Sequence, residues 1–523
     1  MKRRFNDTGI CIKARHYMVD VTPRLDYAVE LIESGEYFCI SRPRQYGKTT
    51  LLSALTRHLE SRPTEYLFAR ISFEALGEQA FETEGSAGTK FLELVLRSFK
   101  ISYGEEVTSK LRTTSVADFQ ELSAVISDFV RSVDQHVVIM IDEVDRAGSY
   151  NMFLRFLGTL RTKYLDAHDG RDATFQSVVL AGLHDIKSLK LKIRDGANPE
   201  FNSPWNIASD FKVRMSFEPP EIAAMLDDYC DDRDVRMDTA EIAEAIYYYT
   251  SGHPFLVSKM CKEIDETFER HDQWTTDDID AAYRYLIDDS YTNTNFDDLA
   301  KTLYCYDGLY EFVQRVLFSN GNVHASSKDP IASLALQYGY VVNTPNGAAI
   351  HNRIYEAIIL SLMTTRMLRE RDKHPFPNTD DGDHYNDDGD LDVRHVLRNY
   401  QRFMKEHQSD RDRDFIEREG RLIFLAFLQP VLNGCGHCFK EAVVGNERRM
   451  DLVVTFNEQR EVIELKVWRG RKYHQRGLEQ LAAYLEQNSL DHGYLLIYDF
   501  RSDKEYKEEE IEFEGKRIFA IWV

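Results

Sequence analysis

The segment Ser41–Thr50, which reads SRPRQYGKTT, has residue types and spacing suited to phosphate chemistry. An apolar run, Tyr37–Ile40, precedes it and helix-forming residues follow it, so Gly47, Lys48 and Thr49 lie at a strand-to-helix turn. At such a turn a glycine lets backbone N–H groups close on phosphate oxygens, a lysine reaches the β- and γ-phosphates, and a threonine hydroxyl ligates magnesium. The spacing therefore predicts a nucleotide phosphate site at a helix N-terminus.

This loop departs from the full phosphate-loop pattern at its first position. A glycine is expected there, and the chain has Arg42 followed by Pro43. The match therefore covers only the Gly-Lys-Thr half, and the strand before the loop and the helix after it support the nucleotide interpretation. The alternative is a basic turn that only caps a helix.

An acidic pair follows the apolar run Val137–Ile141, which predicts a strand buried on both faces. Asp142 and Glu143 end this run, where the strand emerges beside the phosphate loop. Because phosphoryl transfer depends mostly on positioning and charge neutralisation, Asp142 is predicted to hold magnesium and Glu143 to polarise the attacking water. The alternative is an acidic turn at a strand end. The residues predicted to bind ATP are Arg44, Gln45, Tyr46, Gly47, Lys48, Thr49, Thr50 and Asp142, and those predicted to hold its Mg²⁺ are Thr49 and Asp142.

The pattern around these residues alternates between strands and helices. Glu65–Phe73 and Phe175–Gly182 are further predicted strands. This alternation predicts an α/β fold with a parallel sheet and helices on both faces. From Pro219 the pattern becomes helical, with a stop and restart at Ser251–Phe255, which predicts a small helical lid.

Four segments of the chain together resemble a prokaryotic AAA-like ATPase family related to the STAND and archaeal ATPase groups. They are RPRQYGKTT, IDEVDR, NSPWNI and SGHPFLV. The resemblance covers about Tyr17 to Leu360 and implies an ATP-binding P-loop sheet domain, a helical lid and a winged helix. Related ATPases sense the γ-phosphate with a polar residue after the third strand, where this chain has His184 and Asp185; a solvated loop is the alternative there.

The winged-helix expectation also has support from the residues themselves. Leu309–Phe318 and Ser333–Leu336 are predicted helices, and Tyr338–Val342 is predicted to pair with Ala348–His351 as a hairpin. Two helices followed by a hairpin are what a winged helix needs. In such ATPases this module is more often structural than a DNA-binding surface.

A second chemical centre is predicted near the C-terminus. Met450–Phe456 and Glu461–Val467 are predicted strands of a β-hairpin that carries Asp451, Glu464 and Lys466. Alternation places Glu464 and Lys466 on one face. Two carboxylates can hold a divalent cation that lowers the pKa of a bound water, and an adjacent lysine can orient the hydroxide for attack on phosphate. The alternative is an ion pair on an exposed sheet face.

This Asp…Glu-x-Lys pattern resembles the PD-(D/E)XK nuclease superfamily, over roughly Asp414 to Val523. The predicted helix Tyr473–Asn488 carries Gln480 and Tyr484, which resemble the helix motif of RecB-type members. The resemblance implies Glu419 as a supporting metal carboxylate, with Glu417 as the second choice, and the basic loop Arg469–Lys472 as a contact for the DNA backbone. The predicted catalytic residues here are Asp451, Glu464, Lys466 and Gln480, and the predicted metal ligands are Glu419, Asp451 and Glu464.

Composition limits the remaining interpretations. A chain of 523 residues is too long for one core, and its net charge of −22 restricts nucleic-acid contact to local basic patches. Seven scattered cysteines and the lack of a long apolar run favour a cytoplasmic protein without membrane segments. The predicted domains are an ATPase core (1–215), a helical lid (216–290), a winged helix (291–366), an acidic linker (367–400) and a nuclease-like domain (401–523).

Two metal interpretations are not favoured. The acidic run Thr379–Asp392 lacks the ligand spacing of a calcium loop, and Cys435–Cys438 has no second Cys-x-x-Cys for a zinc site. The first is interpreted as a solvated segment and the second as thiols in a loop or core.

The sequence thus favours an ATP-binding and ATP-hydrolysing protein whose nucleotide state gates a Mg²⁺-dependent nuclease acting on nucleic acid, DNA rather than RNA. The handling of foreign or mobile DNA is the setting that the resemblance implies. The alternative is a nucleotide-switched scaffold or signalling ATPase whose C-terminal domain only binds nucleic acid or protein. A homo-oligomer through the ATPase domain is compatible with either function. Three arginines are equal candidates for an arginine finger: Arg146, Arg161 and Arg194.

Overall fold

The structure is a computed structural model. It describes residues 2–74, 76–111, 114–146, 150–183, 205–267, 273–288, 294–318, 323–370, 385–386, 390–407, 420, 423–428, 431–432, 436–439, 452–456, 459–468, 470–499, 501 and 504–523. The chain forms two compact units, the first Met1–Ala282 with Ala325–Val342 and the second Tyr283–His324 with Asn343–Val523. Within the described ranges, no helix combines the length and the apolar character needed to cross a membrane.

The first unit is built on a five-stranded sheet in the order β2-β3-β4-β1-β5. Its strands are β1 (Phe38–Ser41), β2 (Tyr66–Ser72), β3 (His136–Asp142), β4 (Ser177–Gly182) and β5 (Ser209–Asp210). Every neighbouring pair is parallel. The predicted α/β fold with a parallel sheet is therefore confirmed.

Helices cover both faces of this sheet. They are α1 (Thr22–Glu33), α2 (Lys48–Glu60), α3 (Glu84–Thr108), α4 (Phe119–Arg131) and α5 (Tyr150–His168). Ile139 and Ile141 of β3 belong to one apolar core, and Val138 and Met140 belong to the core on the other face. Because successive strand residues point to opposite faces, a strand segment buried on both sides must be apolar, as Val137–Ile141 of β3 is.

A set of helices follows the sheet. They are α6 (Pro219–Arg233), α7 (Thr239–Thr250), α8 (Pro254–Thr267) and α9 (Thr276–Asp288). The helix α7 ends because Ser251 and Gly252 both adopt left-handed backbone conformations, and α8 restarts at Pro254. At Gly252 an added Cβ would overlap the carbonyl oxygen of Phe217, whose N–H donates to the Gly252 carbonyl at 2.8 Å.

The next elements are α10 (Thr294–Cys305), α11 (Leu309–Phe318), α12 (Pro330–Gln337), β6 (Val341–Thr344), β7 (Gly347–Ile350) and α13 (Arg353–Glu370). The strands β6 and β7 form the predicted hairpin as a two-stranded sheet. Its first strand begins at Val341, later than the predicted Tyr338. The reason is that the N–H groups of Tyr338 and Gly339 still donate to carbonyls of α12, with Gly339 in the left-handed region at φ 72°.

The second unit contains a mixed six-stranded sheet in the order β12-β13-β11-β10-β9-β8. Its elements are α14 (Val393–His407), β8 (Gly436–Phe439), β9 (Leu452–Phe456), β10 (Gln459–Val467), α15 (Arg471–Gln487), β11 (His492–Tyr498), β12 (Glu508–Phe513) and β13 (Lys516–Trp522). The strands β10, β11 and β13 are parallel, and α15 connects β10 to β11. The helix α14 begins inside the range 367–400 that the sequence predicts as a linker.

We expect Gly252→Ala to destabilise the protein by about 3 kcal/mol or more, because the new Cβ meets backbone and the residue must keep a positive φ. The matched control is Gly170→Ala, since Gly170 has φ 68° and no atom within 4 Å of an added Cβ. Gly170→Ala should lower the free energy of unfolding by only about 1 kcal/mol, the conformational cost of a positive φ for a residue with a Cβ. Urea denaturation measures the free energy of unfolding of both variants. Equal decreases in the two variants would contradict the predicted backbone contact at Gly252.

Candidate functional site

The phosphate loop connects β1 to α2. Two of its residues have left-handed backbone conformations, Gln45 with φ 59° and Gly47 with φ 75°. Gly47 is the N-cap of α2, and in the described part of the chain no side chain caps this helix end. The first N–H groups of a helix lack partners within the helix and favour an anion. A helix N-terminus that favours an anion therefore lies where the sequence predicts the phosphate site.

The side chain of Lys48 is buried in this loop. Its exposed fraction is 7 %, and its Nζ donates to the carbonyls of Arg42 at 2.9 Å and Pro43 at 2.8 Å. Burial holds the pKa of the Lys48 ammonium below its ordinary value, while the nearby carboxylates of Glu143 and Asp145 act in the opposite direction. A cation is thus held inside the loop by carbonyl oxygens and acidic neighbours.

The acidic residues stand at the end of β3. Asp142 is buried, and its Oδ2 lies 3.7 Å from Nη2 of Arg70 on β2. Glu143 has φ 53°, in the left-handed region, and donates its N–H to Asp142 Oδ1 at 3.1 Å. Burial raises the pKa of the Glu143 carboxyl, the carboxylate of Asp145 raises it further, and Lys48 opposes both. A carboxylate with a raised pKa is suited to accept a proton from water.

The strand β4 brings the phosphate loop and the acidic residues to one edge of the sheet. It pairs with β1 on one side and with β3 on the other, with Ser41 opposite Gly182. Asp145 Oδ1 accepts the N–H of Leu183 at 2.8 Å. A Cβ at Gly182 would lie 2.8 Å from the same oxygen, so this glycine allows the close approach of Asp145. Asp145 connects the ends of β3 and β4, a role that its place in IDEVDR did not reveal.

Two of the predicted ATP residues contact segments that are distant in the chain. The ring of Tyr46 is buried and lies 4.4 Å from the ring of His253, measured between centroids. The hydroxyl of Thr50 accepts the N–H of Cys11 at 3.2 Å. Sequence reasoning missed the contacts of His253 and Cys11, because only the folded chain brings these distant segments to the loop.

Three further predicted residues of this site have described positions. Arg44 lies in the loop, Thr49 lies in the first turn of α2, and Arg161 lies on α5. The predicted sensors His184 and Asp185 and the finger candidate Arg194 fall outside the described residues, and of Arg146 only the backbone is described.

These residues fit a magnesium nucleotide. Mg²⁺ prefers oxygen ligands and is usually held by one or two protein groups together with substrate phosphates. The hydroxyl of Thr49 and the carboxylate of Asp142 are such groups. Within the described residues, no cluster of three or more His, Cys, Asp or Glu side chains could hold a metal ion by itself. A metal at this edge would therefore need oxygens from water or from a bound phosphate to complete its coordination.

The second candidate centre lies in the second unit, between β10 and α15. The Nζ of Lys466 is 2.6 Å from Glu464 Oε1 and donates to Gln480 Oε1 at 2.9 Å. Glu464 is fully buried, and 15 % of the Lys466 side chain is exposed. The pair is therefore not the exposed ion pair that the sequence left as the alternative. The structure brings three predicted residues together, one of them from a different element.

The helix α15 lies close against this pair. A Cβ at Gly477 would meet the Lys466 side chain at 3.5 Å, and the hydroxyl of Tyr484 accepts a hydrogen bond from Arg460 at 3.1 Å. Several predicted residues fall outside the described part of the chain, or have only their backbone described. They are Glu417, Glu419, Asp451, Arg469, Lys472 and Cys435–Cys438.

Comparison with solved structures finds several matches of low sequence identity. The Walker-type ATPase of Pyrococcus abyssi is 14% identical over 68% of this chain and 99% of its own, with a TM-score of 0.44. The ORC2 protein of Aeropyrum pernix is 13% identical over 69% of this chain and 98% of its own, with a TM-score of 0.39. The RuvB Holliday junction branch migration motor of Thermotoga maritima is 15% identical over 64% of this chain and 92% of its own, with a TM-score of 0.31.

A comparison with curated proteins finds no match. A comparison with protein families finds one match in the first unit, to a family described as predicted AAA-ATPase, over residues 10–191. This range contains the phosphate loop with Lys48 and the acidic end of β3. Residues 10–191 are thus similar to the predicted AAA-ATPase family.

Proposed function

We propose that the first unit binds ATP with Mg²⁺ and hydrolyses it. The observation that carries this proposal is the buried ammonium of Lys48 in a phosphate loop at the same sheet edge as Asp142 and Glu143. Lys48 would contact the β- and γ-phosphates, and Thr49 and Asp142 would hold the metal. Glu143 would accept the proton of the attacking water.

The environment of Lys48 supports this assignment. A buried ammonium is costly unless its donors are used, and here two of them reach loop carbonyls. Phosphate oxygens can replace these carbonyls as acceptors and carry negative charge in addition. Because the Lys48 side chain is buried, its attraction to a phosphate is stronger there than at an exposed surface.

We further propose that the second unit is a metal-dependent phosphodiesterase that cleaves nucleic acid, DNA rather than RNA, under the control of the nucleotide. The cluster of Glu464, Lys466 and Gln480 on β10 and α15 supports this proposal. Glu464 would hold a divalent cation together with Asp451 and Glu419. Lys466 would orient the attacking hydroxide, and Gln480 would fix the position of the Lys466 ammonium.

One observation favours a second candidate function, a nucleotide-switched scaffold whose C-terminal part only binds nucleic acid or protein. Glu464 has no exposed surface within the described residues. A carboxylate that ligates a catalytic metal needs an open side toward the substrate. A pair whose carboxylate is fully buried can instead stabilise the packing of α15 on the sheet.

We expect Lys48→Ala to reduce ATP hydrolysis at least about 100-fold, because the ammonium that offsets phosphate charge is lost. Phosphate release from Mg²⁺-ATP measures this effect. The control is Lys90→Ala, since Lys90 forms an exposed pair with Glu93 far along the chain from the loop. Circular dichroism checks that both variants are folded. Hydrolysis at the wild-type rate by folded Lys48→Ala would refute the proposed phosphate site.

We expect Glu143→Gln to keep ATP binding and to lose hydrolysis by about 100-fold or more, because a neutral amide cannot accept the proton of the attacking water. Binding of a fluorescent ATP analogue and phosphate release are measured on the same sample. Loss of binding together with hydrolysis would show that Glu143 acts in binding and not in the chemical step.

We expect Glu464→Gln to abolish Mg²⁺-dependent cleavage of plasmid DNA, because the amide is a poor ligand for a cation. The control on the same strand is Glu461→Gln, since Glu461 pairs with His492 and alternation along β10 places it on the face opposite to Glu464 and Lys466. Lys48→Ala should still cleave but without dependence on ATP. Cleavage unchanged by Glu464→Gln would favour the scaffold over the nuclease.

A further inference from the structure

The segment 211–217 lies between the end of β5 and the start of α6. We call it the linker, and it is distinct from the acidic linker predicted at 367–400. Its main-chain carbonyls accept hydrogen bonds from two arginines of the first unit. Arg42, from the phosphate loop, donates through Nη2 to the carbonyls of Phe211 at 2.8 Å and Val213 at 3.1 Å. Its Nη1 donates to the carbonyl of Ser41 at 2.8 Å. One guanidinium thus joins the loop to the first half of the linker.

A second arginine holds the other half. Arg24 on α1 is 4 % exposed and donates to the carbonyls of Arg214 at 3.0 Å and Ser216 at 3.2 Å. It also forms two hydrogen bonds to the carboxylate of Glu221 on α6, at 2.7 and 3.0 Å. Arg24 therefore anchors the linker and α6 to α1 without touching the phosphate loop.

Arg42 differs from Arg24 because its main chain belongs to the nucleotide site. Its carbonyl accepts the Nζ of Lys48 at 2.9 Å, and its N–H donates to the carbonyl of Gly182 at 3.2 Å. From the linker, Met215 reaches within 4.0 Å of the position of a Cβ on Gly47. A change in how Lys48 is bonded therefore acts directly on the residue whose side chain holds the linker.

The departure from glycine at the first loop position now has a physical explanation. A glycine could supply the carbonyl that Lys48 contacts, but it has no group that reaches the linker. The planar guanidinium has five N–H donors in a fixed geometry, so one side chain can serve three carbonyls at once. Lysine has a single nitrogen and cannot reproduce these separated contacts.

We propose that Arg42 is a positioning residue that couples occupancy of the phosphate loop to the position of the linker and of the helices that follow it. The inference rests on the proposed binding of ATP. When Lys48 turns from the carbonyls of Arg42 and Pro43 to phosphate oxygens, the loop at Arg42 readjusts, and the guanidinium passes this movement to the carbonyls of Phe211 and Val213. Arg24 bonds both the far half of the linker and Glu221 of α6, so a movement of the linker is passed on to α6.

Hydrogen exchange of the linker amides tests this proposal, with Mg²⁺ and a non-hydrolysable ATP analogue added to the full-length protein. In the wild type we expect the analogue to slow exchange in residues 211–217. In Arg42→Ala the analogue should still bind, but the change in exchange should be lost. Arg42→Lys should restore at most part of the change. Arg24→Ala should speed exchange with and without nucleotide and keep the nucleotide-dependent difference.

Steady-state kinetics supply a second measurement. We expect Arg42→Ala to lower kcat for ATP about 10-fold or more and to change KM by less than about 2-fold, because nucleotide still binds but the helices are misplaced. The control is Arg62→Ala, since Arg62 is a half-buried arginine that pairs with Glu33 and Glu65.

The outcomes separate the two levels of inference. If the wild type binds no ATP, the proposed function fails and the coupling fails with it. If the wild type binds ATP and Arg42→Ala shows the same exchange difference and the same kcat, only the role of Arg42 is overturned. If Arg42→Ala binds no ATP while circular dichroism shows a folded chain, Arg42 acts in binding and the proposed coupling is wrong.

Discussion

The first unit is organised around the buried ammonium of Lys48. A buried cation needs carbonyl or carboxylate oxygens around it, and every element that supplies them is placed by the order of the parallel sheet. The loop carbonyls follow β1, and the acidic residues Asp142 and Glu143 lie at the end of β3. The strand β4 lies between β1 and β3 and pairs with both, so the loop and the acidic residues lie at the same end of the sheet. The left-handed backbone at Gln45 and Gly47 completes this enclosure by turning the loop back over the lysine.

Much of this arrangement was predictable from the sequence because it depends on local patterns. The uninterrupted apolar run of β3 and the Gly-Lys-Thr turn each specify an element from a few adjacent residues. The contacts that were missed join segments far apart in the chain. Tyr46 meets His253, and Thr50 meets Cys11, and no spacing rule predicts such pairs. The close approach of Asp145 to Gly182 was missed for the same reason.

In the second unit, too, the sequence predicted the local pattern of a strand but not what packs against it. Strand alternation correctly placed Glu464 and Lys466 on one face, since that follows from the period of two. It could not show that α15 would cover that face, bring Gln480 to the ammonium and leave Glu464 without exposed surface. Burial depends on what packs above a strand, which the strand itself does not encode. The predicted ligands Asp451 and Glu419 lie outside the described residues, so the described part of this centre contains a single carboxylate beside the lysine.

Arg42, at the first position of the phosphate loop, contacts both the nucleotide site and the segment before α6. On sequence alone, Arg42 looks like a defect in a nucleotide motif, because a bulky side chain replaces a glycine. In the folded chain its main chain does what the glycine would do for Lys48, while its side chain leaves the loop and bonds the segment before α6. Phosphate binding by itself does not require hydrogen bonds between the loop and the segment before α6. Coupling of nucleotide binding to other parts of the protein does require such contacts. A bound nucleotide can shift a distant conformational equilibrium only through contacts that differ between the two conformations of the protein.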